Sequence, residues 1–137
     1  NSVEMLDLHG SSLQTIWEQR TCLDIFDHLS NLIGLNMSLN SLTALPQGIF
    51  RGLSSISELD LSSNALTYLQ KDVFPPSLQI LHLSNNFLVS PDPNSFRSLR
   101  YLSLSANRFY CDCTLWDFLK WLNSSNITFE SPVQEYR

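Results

Sequence analysis

The residues best equipped by type and spacing to do chemistry in this chain are asparagines. Asn40, Asn64, Asn86 and Asn107 each stand three residues after the second apolar position of an alternating doublet, as in Leu59-Asp60-Leu61-Ser62-Ser63-Asn64. A carboxamide carries donor and acceptor together, so it can satisfy both N–H and C=O groups in a buried bend where leucine would leave them unpaired. Four at one offset predict a buried ladder rather than unrelated loop asparagines. Three other asparagines suit a different chemistry: Asn36-Met37-Ser38, Asn123-Ser124-Ser125 and Asn126-Ile127-Thr128 are acceptor sequences for N-linked glycans in a secreted chain. The neighbouring Asn123 and Asn126 predict an exposed loop.

Nothing else assembles into a reaction centre. Asp7 and Asp60 fall in different repeats, too far apart for paired acid and base work, and His9 and His82 are separated in the same way. Cysteine occurs at 22, 111 and 113; a zinc site lacks further ligands, because His28 and His82 belong to other repeats. The sequence therefore predicts no enzyme, no metal and no cofactor.

The elements that must position these side chains come from an internal repeat. Ile56 to Phe74 reads L-x-x-L-x-L-x-x-N-x-L-x-x-L-x-x-x-x-F, one turn of a leucine-rich repeat, with isoleucine in the first leucine slot. The turn before it uses Leu32, Leu35, Met37, Asn40, Leu42, Leu45 and Phe50. The turn after it uses Leu78, Leu81, Leu83, Asn86, Leu88, Pro91 and Phe96. The first turn places Val3, Leu6, Leu8, Leu13 and Ile16, with Ser11 at the asparagine position, and the fifth places Leu99, Leu102, Leu104, Asn107 and Phe109. The expectation is an α/β leucine-rich-repeat solenoid over residues 1–106, about five turns starting near 3, 32, 56, 78 and 99. Short parallel strands line its concave face and irregular segments its convex side. Asp7, Asn36, Asp60, His82 and Ser103 should form one outward column, and His9, Ser38, Ser62, Ser84 and Ser105 the next. These columns hold no aromatic hot-spot patch. A glycan on Asn36 would obstruct the concave face.

Phe26, Phe50, Phe74 and Phe96 recur across each turn and predict a packed spine. The first turn is longer: nine residues separate Ile16 from Phe26, against four between Leu45 and Phe50. Thr21 or Asp24 is placed to cap a short helical turn through Phe26 and Leu29, with Cys22 facing the core or a neighbouring loop, a buried free thiol in preference to a reactive or intermolecular one. After Asn107 the pattern changes. Leu115, Phe118, Leu119 and Leu122 share one helical face, widened by Trp116 and Trp121, and this helix should cover the open end of the last turn. Residues 107–137 are thus a C-terminal cap.

Composition bounds the partners. Eight basic residues against thirteen acidic ones give a net charge of −5, which disfavours nucleic acid. No apolar run approaches the roughly 18 residues of a membrane span. The polar opening Asn1-Ser2-Val3-Glu4 is no signal peptide, so any targeting or anchoring segment is expected outside this sequence.

Asn107-Arg108-Phe109-Tyr110-Cys111-Asp112-Cys113, continuing into Leu115-Trp116, resembles the N-x-F-x-C-x-C start of the C-terminal cap in extracellular leucine-rich-repeat proteins. The resemblance implies that Cys111 and Cys113 are structural, each disulfide-bonded to a cysteine beyond Arg137, and that the chain is a fragment whose cap, residues 107–137, is incomplete. Trp17-Glu18 with Cys22-Leu23-Asp24-Ile25-Phe26, Leu45-Pro46-Gln47-Gly48-Ile49-Phe50, Pro76-Ser77-Leu78-Gln79-Ile80-Leu81 and Ser90-Pro91-Asp92-Pro93 are similar to the last repeats of a Toll-like receptor ectodomain, the flagellin-sensing member above all. That likeness implies a membrane-proximal piece of an innate immune receptor on the extracellular side of the cell membrane. It implies flagellin bound mainly through repeats absent here, pairing with a second receptor through the C-terminal lateral surface, and signalling by ligand-induced dimerisation. A structural or adhesive extracellular leucine-rich-repeat protein is the alternative.

Overall fold

The computed structural model describes residues 4–90, 92–109 and 113–129. Val3, Pro91, Cys111 and residues 130–137 lie outside that set. Among the described residues six strands form one parallel sheet in chain order: β1 (Met5–Asp7), β2 (Gly34–Asn36), β3 (Glu58–Asp60), β4 (Ile80–His82), β5 (Tyr101–Ser103) and β6 (Thr128–Phe129). Their register is unbroken: Leu6, Leu35, Leu59, Leu81, Leu102 and Phe129 form one row across all six strands. These middle residues point into the solenoid, with Leu59, Leu81 and Leu102 fully buried. Three residues suffice for each of β1 to β5 because the chain must leave the sheet at once to build the rest of the turn.

The departure is made in a left-handed conformation. Leu39, Ser63, Asn85 and Ala106, each immediately before a ladder asparagine, have φ between 56 and 59°. None is glycine, so each bend carries a cost of roughly 1–2 kcal/mol that the hydrogen bonds around the following asparagine must offset.

The long first turn differs from expectation. Its helix is α1 (Leu13–Glu18), not a turn through Phe26. Leu13 and Trp17 face the core, and the Thr21 hydroxyl donates to the Ile16 carbonyl at 2.9 Å, closing the C-terminal end of the helix rather than starting another. Residues 22–29 instead form successive four-residue turns, with Ile25, Asp27 and Leu29 N–H groups donating to Cys22, Asp24 and Phe26 carbonyls. Cys22 is exposed, not buried. Left-handed backbone at Arg20 and Cys22 swings this segment outward, while the Trp17 indole occupies the interior and donates to the Cys22 carbonyl at 3.3 Å.

On the convex side Phe26, Phe50 and Phe96 are buried and Phe74 is partly exposed. Phe26 stacks on Phe50 at 6.2 Å and Phe50 on Phe74 at 6.3 Å, whereas Phe96 meets Phe118 of the C-terminal helix edge to face at 5.9 Å. Gly52 fixes the spacing of the first two convex segments, because a Cβ there would lie 2.5 Å from the Asp27 backbone. Gly52→Ala is expected to destabilise the fold by about 1–3 kcal/mol through overpacking; an unchanged urea midpoint would show that the two segments can slide apart freely.

The C-terminal helix α2 (Cys113–Ser124) buries Leu115 and Phe118, with Leu119, Trp121 and Leu122 packed against the core. Trp116 does not join them. It is 62% exposed, with the Lys120 ammonium 5.9 Å from its ring, because it lies on the helix flank turned away from the last repeat. After α2 the chain returns to the sheet as β6, whose Thr128 N–H donates to the Arg100 carbonyl at 2.8 Å.

Candidate recognition surface

The ladder asparagines tie each turn to the one before it. Asn40 Oδ1 accepts from Ser11 N–H at 2.9 Å and Leu13 N–H at 3.1 Å, while its Nδ2 donates to the Leu8, Met37 and Ser38 carbonyls. Asn64 Oδ1 accepts from Asn40 and Leu42 N–H, both at 3.0 Å, and its Nδ2 donates to Met37, Leu61 and Ser62. Asn86 accepts from Leu66 N–H and donates to Leu61, Leu83 and Ser84. Asn107 accepts from Leu88 N–H and donates to Leu83, Leu104 and Ser105. Asn40 and Asn86 are 1% exposed and Asn64 7%; Asn107, in the last turn, is only partly covered.

Side chains at the first and third residue of each strand project from the concave face. The third positions align Asp7, Asn36, Asp60, His82 and Ser103 in register. The first positions align Met5, Gly34, Glu58, Ile80, Tyr101 and Thr128, a column that the sequence reading passed over. The two columns meet at His82, whose Nε2 lies 3.1 Å from Glu58 Oε2 and whose ring sits 5.6 Å from that of Tyr101. A cluster of carboxylate, imidazole and phenol ring thus stands on a face that otherwise carries Met5, Ile80 and small polar groups. Strand alternation is the signal that could have found it.

At the N-terminal end of this face the strand-end side chains fold back on the chain. Asp7, Asn36 and Asp60 each use Oδ1 to accept from the N–H two residues later, at 3.1, 3.0 and 2.9 Å, and the Ser38 and Ser62 hydroxyls donate to the same oxygens. These are Asx turns, which re-aim the backbone toward the left-handed bend. The His9 backbone N–H, helped by its side chain, holds the exposed Asp7 carboxyl below the ordinary value of 3.8. A lowered carboxyl pKa contributes stability that is present above the unfolded-state value and lost as pH falls through the folded one. An NMR titration should place the Asp7 midpoint below 3.8, and His9→Ala should preserve most of the lowering because the backbone donor remains. A midpoint at or above the ordinary value would contradict the Asx turn.

The bends beyond the strands expose apolar side chains. Leu39 is 60% exposed, Tyr68 54% and Phe87 39%, and the Arg108 guanidinium lies 4.4 Å from the centre of the Phe87 ring. On the convex side a groove of about 620 Å³ runs between Phe50, Arg51, Lys71 and Phe74. Among the described residues no three His, Cys, Asp or Glu side chains gather where they could hold a metal ion, and no helix is long and apolar enough to cross a membrane.

The sequons sit in three settings. Asn36 ends β2 and is partly exposed; Asn123 lies in the last turn of α2 and Asn126 between α2 and β6, both exposed. The expected loop therefore holds Asn126 alone, because α2 continues through Ser124. Cys113 opens α2 and is exposed, while Cys111 lies outside the described residues.

A family model described as leucine rich repeat matches residues 1–66 and 57–109. The chain belongs to the leucine-rich-repeat family. Within it, the chain is 41% identical over 131 residues to Toll-like receptor 5 of Homo sapiens, which covers 96% of this chain and 15% of that protein. It is 50% identical over 125 residues to Toll-like receptor 5 of Mus musculus, covering 90% of this chain and again 15% of the relative. The chain spans about 15% of the length of these curated relatives. Two solved structures share the architecture. The leucine-rich repeat domain of APL1B superposes with a TM-score of 0.58 at 31% identity, over 62% of this chain and 26% of that one. Human 5T4 (Wnt-activated inhibitory factor 1, trophoblast glycoprotein) gives 0.60 at 25% identity, over 80% and 44%.

Proposed function

We propose that the chain is a membrane-proximal segment of the extracellular part of a pattern-recognition receptor, one that senses bacterial flagellin and signals through ligand-induced dimerisation. The observation that carries this reading is the 41% identity to human Toll-like receptor 5, sustained over 96% of the chain rather than over one repeat. Residues 1–106 are then scaffold and partner surface, and residues 107–137 the flanking cap, with Cys111 and Cys113 paired to cysteines further along. Asn123 and Asn126 carry glycans on its exposed side. The main flagellin contacts fall in repeats outside this segment.

Support for a lateral rather than concave pairing surface comes from the bends, where Tyr68 and the Phe87–Arg108 pair stand exposed. Exposed aromatic and arginine side chains are the types that anchor protein interfaces. Two differently tagged copies of the full-length protein in animal cells test the reading: flagellin should increase their cross-linking, and Phe87→Asp should reduce that increase while leaving cell-surface display intact. Pairing indifferent to flagellin would overturn the receptor reading and favour an adhesive leucine-rich-repeat protein. Loss of surface display in Phe87→Asp would mark Phe87 as structural.

A further inference from the structure

We infer that Asn36 carries an N-linked glycan seated on the concave sheet, and that this glycan closes the face of the first three turns to protein partners. Asn36-Met37-Ser38 is an acceptor sequence, and the fold presents it in an unusual place, on a strand rather than a loop. The side chain is already oriented. Oδ1 accepts from the Ser38 N–H at 3.0 Å and from its hydroxyl at 2.8 Å, whereas Nδ2, the atom that would bear the sugar, has no hydrogen-bond partner among the described residues. The ladder asparagines differ in this respect, since each spends its Nδ2 on backbone carbonyls.

The surroundings leave room for a sugar. Asn36 borders a shallow groove of about 350 Å³, flanked by Asp7, Glu58 and Asp60 on the adjacent strands. Gly34, two residues earlier on the same face, contributes no side chain, and the Met5 thioether lies across it. That thioether gives the C–H face of the first pyranose an apolar surface, and the carboxylates accept from its hydroxyls. In the transfer itself the bond from the sugar C1 to the diphosphate of a lipid-linked oligosaccharide donor breaks and the Nδ2–C1 bond forms. The lipid diphosphate leaves and Nδ2 gives up one proton. Once attached, the oligosaccharide stands over β1 to β3, and docking on these turns is confined to the bends and the convex side.

This inference rests on the extracellular reading, and the three sequons separate the two. The full-length protein is secreted or displayed from animal cells and its glycopeptides are mapped before and after enzymatic release. Glycan on Asn36 together with Asn123 or Asn126 is the expected result. Occupied Asn123 or Asn126 with bare Asn36 overturns this inference and leaves the extracellular reading standing, whereas three bare sites overturn both. Closure of the face is read separately with Asp60→Cys, labelled by a bulky maleimide and quantified on its own peptide. Labelling should be slower in the glycosylated protein than in the same variant carrying Ser38→Ala; equal rates would overturn the closure.

Discussion

Replacing Phe50 with alanine is expected to cost about 3–5 kcal/mol, the range for deleting a buried aromatic side chain. Phe50 is 2% exposed and is the middle ring of the stack that joins the first three turns, 6.2 Å from Phe26 and 6.3 Å from Phe74. Its loss removes apolar surface from the core and leaves a void that the neighbours fill poorly, because both rings lean on it from opposite sides. Each lost ring contact adds about 0.5–1.5 kcal/mol beyond area alone. Phe74→Ala should cost less, since that ring is already partly exposed. Equilibrium urea unfolding of the purified ectodomain measures both. A Phe50 variant within about 1 kcal/mol of the parent, the usual range of tolerated core swaps, would mean that the stack is not a continuous core.

Asn64→Ala should be the next most damaging, destabilising by roughly 1–3 kcal/mol through buried backbone groups left unpaired. Alanine would strand the buried N–H groups of Asn40 and Leu42, whereas the Met37 and Leu61 carbonyls would each lose one donor and keep another, from Asn40 and Asn86. Asn64→Asp is the informative companion. It keeps the acceptor, removes the donor and aims a charge at carbonyl oxygens, so at neutral pH it should be no better than alanine. An unchanged melting curve for the alanine variant would sink the ladder. Hydrogen exchange should locate the damage, with the Asn40 and Leu42 amides losing protection before those of the last turn.

The parallel sheet and its inward row were legible because leucine at a fixed period has one physical reading, a stack of half-buried strands. Asn40, Asn64, Asn86 and Asn107 were legible as a set for the same reason. Other features were not, and each failure has a cause. Leu39, Ser63, Asn85 and Ala106 adopt left-handed backbone without being glycine, so no residue type announced the bend. Cys22 is apolar enough to suggest the core, but Trp17 outcompetes it for that space. Trp116 lies near the apolar face of α2 in sequence and off it in space. Two-residue β6 is too short to show any period. The Glu58–His82–Tyr101 cluster joins residues from three turns, and only the strand register brings them together.

The ladder has a direction. Asn40 completes bonds for Ser11 and Leu13, Asn64 for Asn40 and Leu42, Asn86 for Leu66 and Asn107 for Leu88; the helping residue always lies downstream. A ribosome delivers the turns in that same sequence. The nascent solenoid therefore always ends in a turn whose amides await a successor, until α2 packs on the last turn and β6 pairs with β5. A chain ending after any repeat would leave the amides of that turn without the acceptors that the next turn supplies.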